Sequence, residues 1–247
     1  MKRTLNLNKE IKNTRDGFHL NSKYWQEHKK NLPPLPPDLF QIAVGMILSD
    51  ACMYKVSKHA LIKFEQGYLQ EKFLFHLFSL FKDYCFMIEP GKRIQKSGNR
   101  EGLIKSFWFK TFSHFYFAAG QVPCCREPAL WDLFYKSSSS SSNKTTLKNI
   151  NQGLISNHLT ERGLAYWVMG DGSLNKKSMI LHTQSYSEEE NMILSKELNE
   201  KFEFKTKIVP HKNKYWVIVF NSEDTVFLSK LIKPYIIPSM IYKLPIC

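Results

Sequence analysis

Apolar positions along the 247-residue chain fall into two similar successions. In the first, Leu39–Leu48 is an apolar run at helical spacing that stops at Asp50-Ala51. An alternating stretch follows, Met53 and Lys55, then Ala60, Leu61, Ile62, Lys63, Phe64 and Glu65, with the period of two that a half-buried strand pair requires. Tyr68–Tyr84 (YLQEKFLFHLFSLFKDY) predicts a helix, and the spacing of Phe73, Phe75, Phe78 and Phe81 assigns them to a face covering a sheet. Beyond Glu89-Pro90-Gly91, Leu103–Thr111 predicts a strand. In the second succession Leu164–Met169 is apolar and ends at Asp171-Gly172, and Ser178–Gln184 predicts a strand. Ser187–Phe202 predicts an amphipathic helix, with Ser187 and Glu190 spaced for a capping box. Lys205–Val209 and Tyr215–Phe220 predict strands around the basic turn His211–Lys214, and Thr225–Ile232 a last helix. Each succession predicts helix, strand pair, helix, strand pair, helix. The expected fold is therefore α+β, two αββαββα repeats with similar antiparallel sheets related by a pseudo-two-fold.

Punctuation divides the chain further. Residues 1–31 carry eight Lys/Arg against three acids and few apolar positions, which predicts a basic arm over residues 1–38, loosely ordered or lying along a polyanion. Asn31–Pro37 (NLPPLPP) is stiff and extended, and Asp38 is placed to cap a helix starting at Leu39. Six consecutive serines, Ser137–Ser142, read as a linker. The expected division is an arm at 1–38, a first repeat at 39–136, a linker and connecting segment at 137–158 and a second repeat at 159–247.

Charge narrows the function. Lys and Arg outnumber Asp and Glu by 35 to 22, a net +13, which favours a polyanionic partner, nucleic acid first and an anionic membrane surface second. No apolar run reaches the roughly 18–20 residues of a membrane span. The N-terminus is too polar for a secretory signal and lacks the amphipathic Arg/Ser pattern of a transit peptide. Five cysteines, odd in number and without CxxC spacing, predict free thiols in a reducing compartment. Neither a Walker loop nor GxGxxG is present.

The two repeat-opening helices both end in acids. Ala43-Val44-Gly45-Met46-Ile47-Leu48-Ser49-Asp50-Ala51 and Leu164-Ala165-Tyr166-Trp167-Val168-Met169-Gly170-Asp171-Gly172 align without gaps as an apolar helix followed by a small residue, an Asp and a small residue. Gly45 and Ser49 lie four apart on one helix face, where small side chains let another helix backbone approach closely.

These nonapeptides resemble the paired motifs of the LAGLIDADG homing endonucleases. Leu164, Ala165, Asp171 and Gly172 coincide with the consensus, and Gly45, Ile47 and Asp50 keep its register. The segment around Leu159-Thr160 and the C-terminal Leu231–Pro238 and Tyr242–Pro245 are similar to the single-chain, intron-encoded members, so the resemblance spans about residues 39–245. It implies motif helices packed together between the repeats, with Asp50 and Asp171 meeting at their ends, and two sheets forming a saddle over the DNA major groove. It further implies a monomeric enzyme that binds Mg²⁺ (or Mn²⁺) and cuts both strands of a long asymmetric target to leave short 3′ overhangs.

The metal ligands would be Asp50 and Asp171 with the backbone carbonyls of Ser49 and Gly170, a hard-oxygen set suited to magnesium. Two adjacent carboxylates without a cation would repel and raise one pKa. By matching to the family pattern, Lys243 (Tyr-Lys-Leu-Pro) and Lys144 (Asn-Lys-Thr-Thr) are the catalytic cations, with Lys148 the alternative to Lys144. The resemblance places Glu65 and His211 beside the active-site pockets and Gln184 on the DNA face. The other DNA-facing candidates are Lys55, Lys58, Lys63, Arg93, Lys96, Arg100, Lys176, Lys177, Lys205, Lys207, Lys212 and Lys214, set on hairpins of the width a major groove admits. Lys and Arg would supply phosphate affinity, and Gln, Asn, Arg and Ser would read base edges.

Two departures from the consensus predict asymmetry: Tyr166 stands where the consensus has Gly, and Ser49 faces Gly170 in the alignment. Two alternatives stay open on the same scaffold, an RNA maturase assisting its host intron and a non-catalytic DNA-binding regulator. Intron-encoded relatives are mostly organellar, which implies a mitochondrial or chloroplast location.

Overall fold

The protein's structure, a computed structural model, describes residues 17–19, 21–118, 129–135, 148–212 and 214–245. The serine run and the first sixteen residues lie outside them. The contacts divide the chain into two compact units, Met1–Leu39 with Ala51–Glu127, and Phe40–Asp50 with Pro128–Cys247.

The first unit opens on α1 (Lys23–Asn31), capped by Ser22, whose hydroxyl accepts from the Trp25 amide at 3.4 Å. Trp25 is fully buried, its ring 5.2 Å from that of Phe112. Carbonyls are shared across the packing: His28 Nε2 donates to Asp83 O at 3.2 Å, and His114 Nε2 to Lys29 O at 2.9 Å. This part of the expected loose arm is a docked helix. One indole in the core supplies the burial that the basic residues around it do not.

A four-stranded antiparallel sheet follows in the order β1-β2-β4-β3, built from β1 (Cys52–Val56), β2 (His59–Gly67), β3 (Gly91–Ile94) and β4 (Ile104–Lys110). Helix α3 (Glu71–Phe81) covers one face with Phe73, Leu74, Leu77, Phe78 and Phe81. Phe64 stacks on Phe109 at 4.6 Å and meets Phe81 at 5.0 Å, so Phe73, Phe78 and Phe81 form core as their spacing predicts, whereas Phe75, expected with them, is exposed. Alternation leaves Leu61, Lys63 and Glu65 of β2 on the other, open face.

Helix α2 (Pro37–Leu48) crosses the division: from Phe40 onward it belongs to the second unit, not to the repeat it opens in sequence. Pro37 takes its first position, so Asp38 lies inside the first turn and is not the cap. The second unit continues with α4 (Leu130–Phe134), α5 (Leu154–His158) and α6 (Glu161–Asp171). Its sheet, in the order β5-β6-β8-β7, comprises β5 (Gly172–Asn175), β6 (Ser178–Leu181), β7 (Lys207–His211) and β8 (Tyr215–Val219). Helices α7 (Glu188–Phe202) and α8 (Ser222–Ile232) complete it, and the expected Ser187–Glu190 capping box is formed. The two sheets repeat one strand order, which makes the fold α+β with two equivalent antiparallel sheets.

What draws α2 into the second unit is its small-residue face. A Cβ added at Gly45 would overlap the Gly163 carbonyl of α6, and one at Gly170 would overlap the Ser49 hydroxyl. The expected close approach is therefore present. Its second glycine is Gly163, three positions before Tyr166, which explains how a buried tyrosine is tolerated at the consensus glycine position.

Candidate active site

Both motif acids belong to the second unit. Asp171 is the last residue of α6, and Asp50 lies two residues past the end of α2. A Cβ on Gly170 would stand 3.6 Å from Asp50 Oδ2, so the Asp50 carboxylate lies against the backbone one residue from Asp171. Burial and then the negative charge of Asp50 push the Asp171 carboxyl up to about 7, against the opposing pull of Lys148 and Lys243. This is the like-charge pair that two motif acids meeting would make.

Each helix end is also gripped by an ammonium. Lys243 Nζ donates to Met169 O at 2.6 Å and Gly170 O at 2.9 Å. Lys148 Nζ donates to Ile47 O at 2.5 Å and Ser49 O at 3.1 Å. The last carbonyls of a helix have no partner within it and carry its partial negative charge, so a cation fits there. Burial of Lys243 lowers its ammonium to about 8, less than burial alone would, because Asp171 and Asp50 hold the charge in place. Lys148 is thus the first-repeat counterpart of Lys243. Lys144 lies outside the described residues. The Ser49 and Gly170 carbonyls, expected as metal ligands, each accept one of these ammonium hydrogen bonds. Among the described residues no three His, Cys, Asp or Glu side chains converge on one point, so the carboxylate pair is the acidic feature of the site.

Register places the neighbouring strands. Cys52 and Ser173 each stand two residues past a motif acid, and they face Lys63 and Ile180. Two residues beyond these come Glu65 and His182, each five positions before the N-cap of the next helix, Gln70 and Ser187. His182 is therefore the positional equivalent of Glu65. That equal spacing to the caps is the sequence signal for His182, which residue type alone concealed.

Glu65 accepts from Lys63 at 2.5 Å, from Ser106 at 2.6 Å, and from Arg93 through both Nε at 3.0 Å and Nη2 at 3.2 Å. Partial burial pushes its carboxyl up, but the hydrogen bonds from Lys63 and Ser106 and the charges of Lys63 and Arg93 outweigh it, and the net shift is downward. In the second unit Gln184 Nε2 donates to His182 Nδ1 at 3.1 Å, leaving Nε2 to donate to Ser173 Oγ at 2.7 Å. The His182 amide donates to Asp171 O at 3.0 Å, which ties this cluster to the second motif's acid. Burial, then the charges of His211 and Lys243, lower the His182 pKa. His211 ends β7 opposite Tyr215, half-buried.

The remaining basic candidates fall on hairpins. Lys58, Lys176, Lys177 and Lys212 are exposed at tips, where Ser57, Lys176 and Lys212 take positive φ of 57°, 55° and 54° to close the turns. Lys96, Lys205, Lys207 and Lys214 are exposed. The Arg100 guanidinium stacks 3.6 Å above the Tyr68 ring. Lys55 shares the side of β1 that buries Met53, opposite to that of Lys63.

The model of the LAGLIDADG DNA endonuclease family matches residues 40–228. The chain belongs to this family. A probable intron-encoded DNA endonuclease 3 of Mycosarcoma maydis is 52% identical over 147 residues, 59% of this chain and 97% of that protein. The cytochrome b mRNA maturase bI2 of Saccharomyces cerevisiae is 30% identical over 92% of this chain and 52% of its own length. The solved structure of homing endonuclease I-WcaI bound to its DNA recognition sequence aligns with TM-score 0.78 and 31% identity, over 94% of this chain and 96% of that one. The LAGLIDADG motifs of this chain are the two helix ends described above, and no described helix is long and apolar enough to cross a membrane.

Proposed function

We propose that this chain is a monomeric, intron-encoded homing endonuclease that hydrolyses both strands of a long, asymmetric double-stranded DNA target and leaves short 3′ overhangs. The observation that carries the reading is the meeting of Asp50 and Asp171, each beside a lysine ammonium, in a member of the LAGLIDADG family. The open sheet faces, with their basic hairpins, supply the DNA contacts, and their different side chains make the target asymmetric.

The donor set fits a hard divalent cation. Two neighbouring carboxylates in a half-buried place hold one of the pair back from ionising, and a cation between them removes that penalty. Asp50 and Asp171 would hold Mg²⁺ or Mn²⁺, with the second lone pairs of the Ser49 and Gly170 carbonyls beside them. When bound, such an ion supplies charge stabilisation to a phosphate and to its leaving oxygen, and acidifies water. Lys148 and Lys243 hold the carbonyl ends of α2 and α6, so both acids stay in place. With two of its N–H groups on Met169 O and Gly170 O, Lys243 would offer the third to a phosphate oxygen. Glu65 keeps Lys63 and Arg93 on the open face until phosphates compete for them. His182, fixed by Ser173 and Gln184, borders Asp171 from the open face.

The test is duplex DNA of the intronless allele, incubated with Mg²⁺. The wild type linearises it, and Asp50→Asn or Asp171→Asn lowers the rate by about 10³-fold or more, a loss of several kcal/mol of transition-state stabilisation. A folded wild type that makes no Mg²⁺-dependent break overturns the reading. The likeness to the maturase bI2 favours a second activity, assistance to splicing of the host intron RNA, and an organellar location. Restored splicing without DNA cleavage would put that activity first.

A further inference from the structure

Whatever binds the terminal carbonyls of a helix fixes the place of the side chains just beyond it. At the end of α2 three successive carbonyls are taken. Lys148 holds those of Ile47 and Ser49. The carbonyl between them, Leu48 O, accepts from the Tyr186 hydroxyl at 2.8 Å. Tyr186 lies on the β6–α7 connection, in the second repeat by sequence. It is held in turn: Asn191 Nδ2 donates to Tyr186 O at 3.2 Å, and to Thr183 O and Ser187 O. One turn on, Glu190 accepts from the Ile150 amide at 2.9 Å, two residues from Lys148. The start of α7 thus anchors both the end of α2 and the strand of chain that carries Lys148.

Among the described residues the first repeat shows no such fixture. Tyr186 and Leu69 both stand immediately before an N-cap, so they are equivalent, yet Leu69 is 82% exposed and Tyr186 only 5%. Leucine has no donor to offer. The counterpart of Glu190 is Phe73, a core residue of α3.

We propose that Tyr186 is a positioning residue for the first motif's acid: its hydroxyl fixes the Leu48–Asp50 end of α2, so the second repeat sets the geometry of the first repeat's half of the active site. The inference rests on the endonuclease reading and deepens it. Among the described residues the Asp171 end is held by the Lys243 ammonium and the His182 amide, so loss of the Tyr186 hydroxyl unbalances the two strand cuts and does not slow both alike.

Tyr186→Phe removes the donor and keeps the ring in the core. Hydrogen exchange in metal-free protein is the first readout. Amides of residues 48–52 exchange about fivefold faster, the worth of one net hydrogen bond, while those of 168–173 stay at wild-type rates. Strand-resolved cleavage of a target plasmid is the second. Nicked product accumulates with the same strand left intact as in Lys148→Met, and the opposite strand to that in Lys243→Met. Glu190→Gln, which keeps the shape, moves both readouts in the same direction by less, and stands in if Tyr186→Phe fails to fold. Unchanged exchange at 48–52, or two strands slowed equally, overturns the proposal. A wild type that does not cut overturns the endonuclease reading alone, since the exchange experiment judges Tyr186 without it.

Discussion

Glu65 and His182 occupy the same place in the two repeats and are surrounded differently. Glu65 gathers two cations and a hydroxyl, and its carboxylate is stabilised by them. His182 has neutral partners, Ser173 and Gln184, and its cationic form is disfavoured by burial and by His211 and Lys243. One sheet therefore offers an internally compensated charge cluster and the other a neutral hydrogen-bonded one. Equivalent backbone with different side chains is how a single chain can address a target whose halves differ. The same contrast runs through the helix ends, where α2 is held by a lysine and a tyrosine, and α6 by a lysine.

The largest expected effect concerns the acids. Asp171 has a folded pKa raised to about 7 from an ordinary 3.8. Its folded state binds the proton more tightly than the unfolded state, so its contribution is full below about pH 4 and is lost as pH rises through about 7. Metal-free Asp171→Asn should therefore melt higher than wild type at pH 8 and show no advantage at pH 4. The difference is on the order of 4 kcal/mol. Mg²⁺ should raise the wild-type melting temperature more at pH 8 than at pH 5, and leave Asp171→Asn nearly unmoved. A variant that melts with wild type at both pH values would remove the like-charge pair from the account.

Helix contact comes next. Gly45→Ala places a methyl against the Gly163 backbone, which cannot retreat like a flexible side chain, and should cost about 1–3 kcal/mol in denaturant unfolding. Gly67→Ala at the end of β2, with open space around it, should be close to neutral. Equal losses would contradict the close approach of α2 and α6.

The smallest effect sharpens the comparison of the sheets. Glu65→Gln should release Lys63 and Arg93 and raise affinity for non-specific duplex by about threefold at low salt, with a steeper dependence on salt concentration. Replacing His182 by Asn, which frees no cation, should leave the salt slope unchanged. Fluorescence anisotropy across a salt series reads both.

Much of this was legible in the chain. The order of elements, the small residues Gly45 and Ser49, the two acids and the Ser187–Glu190 box follow from local spacing, because helix and strand periods and caps are local properties. The rest depends on contacts between distant segments. Gly163 replaces the expected glycine position because helix packing is set by whichever small residue faces Gly45, and no nonapeptide alignment encodes that. Lys148 takes the place beside the first acid, since its identity rests on reaching the carbonyls of Ile47 and Ser49 about 100 positions away. His182 escaped because its chemistry differs from that of Glu65 although its position does not. Trp25 turned part of a basic arm into core, a case of one side chain outweighing the composition around it.

The central claim is that Asp50 and Asp171 share one cation. Anomalous scattering from Mn²⁺ in crystals of the DNA complex tests it directly. The account predicts a manganese peak within bonding distance of carboxylate oxygens from both residues. Manganese bound to one of them alone, or only at other sites, would contradict it.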